Sequence, residues 1–72
     1  MPKLPRFTAK DIIALLLERG FVEDHQRGSH KVFYHSDGRR TVVPFHGSKI
    51  LRPKLIKSIF KEAKIEIKEL LS

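Results

Sequence analysis

Two runs rich in β-branched and aromatic residues, HKVFYH at 30–35 and RTVVPF at 40–45, flank Ser36, Asp37, Gly38 and Arg39. No other feature constrains the fold so much, because an Asp-Gly pair in this setting closes an antiparallel hairpin. With Asp37-Gly38 as a two-residue turn, His35 faces Arg40, Tyr34 faces Thr41, Val32 faces Val43 and His30 faces Phe45. Period-two alternation then puts His30, Val32, Tyr34, Thr41, Val43 and Phe45 on one face. Ser29, Lys31, Phe33, His35, Arg40, Val42, Pro44 and His46 fall on the other. The first face is the more apolar, so it is expected to meet the rest of the core, with His30 on its rim and Tyr34 inside. Phe33, beside Lys31 and Arg40, becomes the aromatic available to a partner. A one-residue bulge would reverse this assignment.

Helical periodicity brackets the hairpin. Thr8 reads as an N-cap with Asp11 in the first turn, and Gly20 as the stop. Between them Ala9, Ile12, Ile13, Leu16 and Leu17 share one side, with Leu15 at its margin. FVEDHQR at 21–27 alternates little and reads as a short polar edge strand. Pro44 cannot donate to a ladder and belongs at an edge, a bulge or a strand end. After a turn at Gly47, Ser48 and Lys49, Pro53 opens a second helix whose buried stripe is Leu55, Ile56, Ile59, Phe60 and Ala63. Lys54, Lys57, Lys61 and Lys64 line its opposite side as a solvated row. The tail either prolongs this helix through Ile67, Leu70 and Leu71 or breaks near Lys64 and forms a short further helix. The order is α-β-β-β-α, an α+β fold with a three-stranded antiparallel sheet covered by two helices on one face.

A chain of 72 residues is expected to form a single domain spanning 1–72, with a thin core. It contains no cysteine, which excludes disulfides and thiolate metal sites. No apolar run approaches membrane-spanning length and the N-terminal stretch lacks a secretory pattern, so a cytoplasmic protein without membrane association is expected. Lys and Arg total 15 against 8 Asp and Glu, a net charge of +7. Such a balance favours phosphate backbones or an acidic protein partner.

The order of elements, G-S-H-K-V-F at 28–33, D-G-R-R at 37–40, V-P-F-H at 43–46 and L-R-P-K-L at 51–55 together resemble the HicA-type toxins of bacterial and archaeal toxin–antitoxin pairs. The resemblance covers nearly the whole chain, which would then be a single HicA-like domain. It implies a double-stranded-RNA-binding-domain-like fold and an endoribonuclease toxin of a type II system that inhibits translation by cleaving mRNA. It further implies a HicB-type antitoxin as protein partner. The family's catalytic histidine lies in the G-S-H motif and carries over to His30. Asp24 and His25 depart from the apolar and basic residues more usual at their slots, which weakens the expected pairing of the first strand and the RNA contacts there.

Metal-free RNA cleavage needs a proton removed from the ribose 2′-hydroxyl and another delivered to the leaving 5′-oxygen, and histidine suits either task because its ordinary pKa lies near neutrality. Arg27 and Lys31, flanking His30, could hold the scissile phosphate and its developing charge. Gly28 would let backbone approach the RNA closely, and Ser29 could donate a hydrogen bond. His46 is a possible second proton carrier but fits a structural or partner contact better. His25 and His35 read as exposed strand histidines. His25, His30 and His35 are spaced by five, which parity scatters over both faces. Carboxylates are not clustered, so neither a metal site nor a cofactor is expected. The rival readings are a non-catalytic RNA-binding module of the same fold and a protein that only binds an acidic partner.

Overall fold

The computed structural model describes residues 7–45 and 50–66. Along these run α1 (Ala9–Glu18), β1 (Val22–Arg27), β2 (His30–Tyr34), β3 (Arg40–Pro44) and α2 (Pro53–Ala63). His46, the expected turn at 47–49 and the tail after 66, with its possible further helix, lie outside the described residues. The α-β-β-β-α order is as expected. The sheet is antiparallel in the order β1-β2-β3, and both helices pack on one of its faces through a core that joins Ile12 and Leu16 to Phe33, Val43, Ile56 and Phe60.

Each helix is bounded by the residues its sequence supplies. Thr8 Oγ1 accepts the Asp11 N–H at 3.2 Å, and the Thr8 N–H donates to the Asp11 carboxylate at 2.9 Å, closing a reciprocal cap. Those hydrogen bonds from Thr8 hold the Asp11 carboxyl below its usual range. A carboxylate whose pKa falls on folding contributes stability above its unfolded value of 3.8 and loses it as the pH drops through the folded value. Thr8→Ala is expected to cost about 1 kcal/mol in urea denaturation at neutral pH, and an unchanged midpoint would show that the cap contributes nothing.

Both helices stop in the same way. The N–H groups of Gly20 and Phe21 donate to Leu17 and Leu16 at 3.1 and 2.9 Å, and those of Lys64 and Ile65 donate to Lys61 and Phe60 at 3.2 and 2.9 Å. This paired pattern seats an apolar residue against the last turn, and Phe21 and Ile65 are both buried. The second helix therefore breaks at Lys64, which takes a φ of 56° although it is not glycine. Pro53 stands in the first turn of α2 as expected, and the lysine row is exposed. On α1 the buried stripe centres on Ile12 and Leu16. Leu17, expected on that stripe, lies on its flank and is 53% exposed.

The hairpin departs from the expected register by one residue. Tyr34 faces Arg40, Phe33 faces Thr41, Val32 faces Val42, Lys31 faces Val43 and His30 faces Pro44. The cause lies in the loop. The Gly38 N–H donates to His35 O and the His35 N–H to Arg39 O, both at 2.9 Å, so Ser36, Asp37 and Gly38 form a three-residue loop with Gly38 at φ 98°. A turn followed by a left-handed glycine adds one residue to the count and reverses every side chain of the strand before it. Phe33, Thr41 and Val43 therefore point into the core, each fully buried. Tyr34, expected in the core, is 40% exposed on the opposite face. Phe33, expected at the surface, is core.

The loop is anchored by Arg39. Its guanidinium hydrogen-bonds Asp37 at 2.8 Å, donates to the carbonyl of Ala63 at the end of α2, and stacks 5.1 Å from the Phe21 ring. A cation there complements the negative end of the helix. The buried hydroxyl of Thr41 donates to Glu62 at 3.0 Å, tying β3 to the same helix. At the other end Thr8 bridges Ile50, and Leu51 N–H donates to Phe7 O at 2.8 Å, so the entries to α1 and α2 lie side by side.

Candidate active site

The sheet face turned away from the helices is assembled from alternate residues of all three strands. β1 pairs with β2 as Val22↔Tyr34, Glu23↔Phe33, His25↔Val32, Gln26↔Lys31 and Arg27↔His30, with an irregularity between Glu23 and His25. Asp24 is the extra residue of that bulge. The first strand thus pairs along its length, and the unusual Asp24 is accommodated by a local break in the ladder. Residues directly opposite in an antiparallel pair share a face. Val22, His25, Arg27, His30, Val32, Tyr34, Arg40, Val42 and Pro44 therefore occupy the open face.

The G-S-H motif sits at one end of this platform. Arg27 and His30 close a two-residue turn made of Gly28 and Ser29, with Gly28 at φ 55°. Glycine at the first of two central positions suits the right-handed twist of a hairpin, and the Gln26 amide braces the turn by donating to Gly28 O at 2.8 Å. A Cβ at Gly28 would meet nothing within 4 Å, so the requirement for glycine there is set by backbone angle. Gly28→Ala is expected to cost about 1–2 kcal/mol through that left-handed conformation, read as a lowered denaturation midpoint. A midpoint equal to that of the parent chain would overturn the assignment. Gly-Ser between two strand-like runs is itself a hairpin signal, and it marks the start of β1–β2 pairing that little else in FVEDHQR betrays.

His30 is exposed at the start of β2, on the open face rather than on the rim of the covered one. That is the second consequence of the three-residue loop. Arg27 lies directly across from it, at about 5.5 Å between Cα atoms for a pair of this kind. Lys31 points the other way. Its ammonium lies 3.2 Å from Glu23 and 5.0 Å from the Phe45 ring centroid, on the covered side. Of the four residues expected to hold RNA beside His30, the structure therefore brings Arg27 to its face, puts Gly28 and Ser29 in the adjoining turn, and separates Lys31.

The described histidines differ in what their rings already do. His25 Nδ1 lies 2.6 Å from the Asp24 carboxylate. His35, expected to be exposed, is largely sheltered: Nδ1 accepts the Asp37 N–H at 3.1 Å and the ring packs edge-on against Phe21 at 5.1 Å. His30 has no side-chain hydrogen bond or ring contact among the described residues. Its imidazole is uncommitted. Parity misplaced His25, because the two-residue turn at Gly28 and Ser29 pairs Arg27 with His30 and so brings His25, two residues before Arg27, to the same face as His30, on the diagonal of the ladder.

An exposed imidazole set across from a guanidinium can exchange a proton beside a phosphate that the guanidinium holds. The sequence profile of a family described as "HicA toxin of bacterial toxin-antitoxin" matches residues 9–65, from the first residue of α1 to the apolar residue that closes α2. The chain belongs to the HicA toxin family. The matched span includes the whole G-S-H hairpin and all five elements. No curated protein sequence matches the chain closely enough to count as a relative. Membership makes the chain a toxin of the toxin–antitoxin kind and implies an antitoxin partner, HicB. Among the described residues no helix is long and apolar enough to cross a membrane.

Proposed function

We propose that this HicA-family chain is an endoribonuclease that cleaves mRNA without a metal ion, with His30 as general acid or base. The observation that carries the reading is the contrast among the described histidines: His25 is held by Asp24 and His35 by Asp37 and Phe21, whereas His30 stands exposed and uncommitted across from Arg27. A proton-transfer group needs a ring nitrogen open to the substrate, and the exposed ring of His30 offers both. The paired positions of the open face carry no carboxylate to hold a divalent cation, which favours proton transfer over metal activation of the nucleophile.

In this mechanism Arg27 binds the scissile phosphate and neutralises the charge that grows on its oxygens. His30 exchanges a proton with the 2′-hydroxyl or with the departing 5′-oxygen. The ribose oxygen bonds to phosphorus as the 5′-oxygen leaves, so the products are a 2′,3′-cyclic phosphate and a 5′-hydroxyl end. On this face the other described imidazole is His25, whose Nδ1 is engaged by Asp24 and whose Nε2 is left for the complementary transfer. Ser29 in the turn can donate a further hydrogen bond, while Lys31, paired with Glu23 on the far side of the sheet, takes no direct part.

The test is incubation of the purified chain with matched RNA and DNA oligonucleotides in excess chelator, followed by analysis of the ends. RNA cleavage with cyclic phosphate ends is expected, and DNA, lacking the 2′-hydroxyl, stays intact. Cleavage that disappears in chelator, or that extends to DNA, would overturn the mechanism. A HicB-type antitoxin that covers the open face is expected to suppress the activity.

A further inference from the structure

The open face extends well beyond His30, and its far end is built differently. There Tyr34 is flanked by Val22 on β1 and Arg40 on β3, with the Arg40 guanidinium 5.9 Å from the tyrosine ring centroid. Tyr34 is 40% exposed and Val22 is 66% exposed, whereas Val32, between this end and His30, is buried at 4%. Val32 is ringed on the platform by four positions, His25 and Val42 across the ladder and His30 and Tyr34 along the strand. The face is thus a continuous surface with a polar catalytic end, an apolar centre and an aromatic end.

We infer that Tyr34 and Arg40 form a base-stacking subsite that selects single-stranded RNA, an inference that rests on the endoribonuclease reading of the same face. An exposed tyrosine ring with a guanidinium beside it offers two planar groups on which an unpaired base can stack. The charge of the face suits RNA rather than an apolar peptide: Arg27, Arg40, His25 and His30 occupy paired positions, and the neighbouring Asp24 carboxylate is spent on His25. Tyr34 stands four residues along β2 from His30, about 13 Å at strand rise, so the stacked base lies about two nucleotides from the phosphate that His30 attacks. Bases paired in a duplex cannot turn onto a flat sheet. The subsite therefore favours unstructured stretches of a transcript and does so with little sequence preference, since every base has a stacking face.

The chain supplies its own reporter. Tyr34 is its single tyrosine and there is no tryptophan, so intrinsic emission near 300 nm comes from this ring alone. The probe is a single-stranded oligoribonucleotide of about ten residues, within the usual site sizes, carrying 2′-O-methyl groups that prevent cleavage and a terminal dye for anisotropy. Binding is expected to quench tyrosine emission in step with the rise in anisotropy. Tyr34→Ala is expected to weaken binding about 5- to 150-fold, and Tyr34→Phe to restore it. The same oligonucleotide in a duplex is expected to leave the emission unchanged. Binding without quenching, and with equal affinity for Tyr34→Ala, would overturn the subsite while leaving the ribonuclease reading in place. Equal quenching by duplex RNA would overturn the selection for single strands. Absence of binding at low salt would overturn the subsite and the ribonuclease reading together. Quenching by a HicB-type antitoxin but not by the oligonucleotide would assign this end of the face to protein and overturn the proposal.

Discussion

His30→Ala is expected to lower the rate of RNA cleavage by about a hundred- to ten-thousandfold, the range contributed by a positioned acid or base. Its thermal unfolding should match that of the parent chain, because His30 is exposed and its side chain contacts no described residue by hydrogen bond or ring packing. RNA binding should survive too, since Arg27 and the rest of the platform remain. These three measurements separate loss of chemistry from loss of fold or of affinity. Unaltered cleavage by His30→Ala would dismiss the mechanism. A collapse in binding with residual cleavage at saturating RNA would make His30 a ligand of the substrate and move the proton transfer elsewhere.

Phe33→Ala is expected to cost about 3–5 kcal/mol, whereas Tyr34→Ala should change stability by no more than about 0.5 kcal/mol. The two residues are neighbours on one strand and differ in which face they serve. Phe33 is wholly buried between the sheet and the helices, and its removal leaves a cavity in a core that a 72-residue chain can ill spare. Whole domains of this size are stable by only about 4–11 kcal/mol, so Phe33→Ala should sit near the edge of unfolding. Urea denaturation followed by circular dichroism reads both variants. A severe loss for Tyr34→Ala with little effect of Phe33→Ala would restore the two-residue turn and put His30 back on the covered side.

That pair of residues shows where reading the chain succeeds and where it stops. The helices were legible because their stripes are several turns long and their ends carry their own signals: Thr8 with Asp11, Gly20, and Pro53. The strands β2 and β3 and their connection were legible from β-branched content and the Asp-Gly pair. The faces were not, because the gap between the strands accommodates a two-residue or a three-residue loop, and one residue of difference inverts a strand. A chemical hint was available. Phenylalanine has no hydroxyl to satisfy, so of two adjacent aromatics Phe33 is the cheaper to bury, and tyrosine is at home where its polar end stays wet.

The candidate site follows the same division. His30 and Arg27 could be chosen from the chain alone, through the G-S-H motif and through the demand of phosphodiester chemistry for an imidazole beside a cation. Lys31 could not be told from Arg27 on those grounds, since both adjoin the motif. Strand alternation sends Lys31 to Glu23 and Phe45 on the covered side. His25 was hidden by the chain reversal at Gly28 and Ser29, across which same-strand parity does not hold, and Tyr34 and Arg40 by the hairpin register.

Helical periodicity, caps and the Asp-Gly hairpin therefore determined the order of elements and the helical core stripes, and the G-S-H and neighbouring motifs carried the resemblance to the family, because each is a local signal written within a few turns of chain. Which face of the sheet the helices cover, and hence which histidine and which aromatic stand in the open, was decided only in the folded protein. The physical reason is that a turn's length is settled by the packing of the strands it joins. Burying Phe33, Thr41 and Val43 against both helices outweighs what either loop length offers by itself.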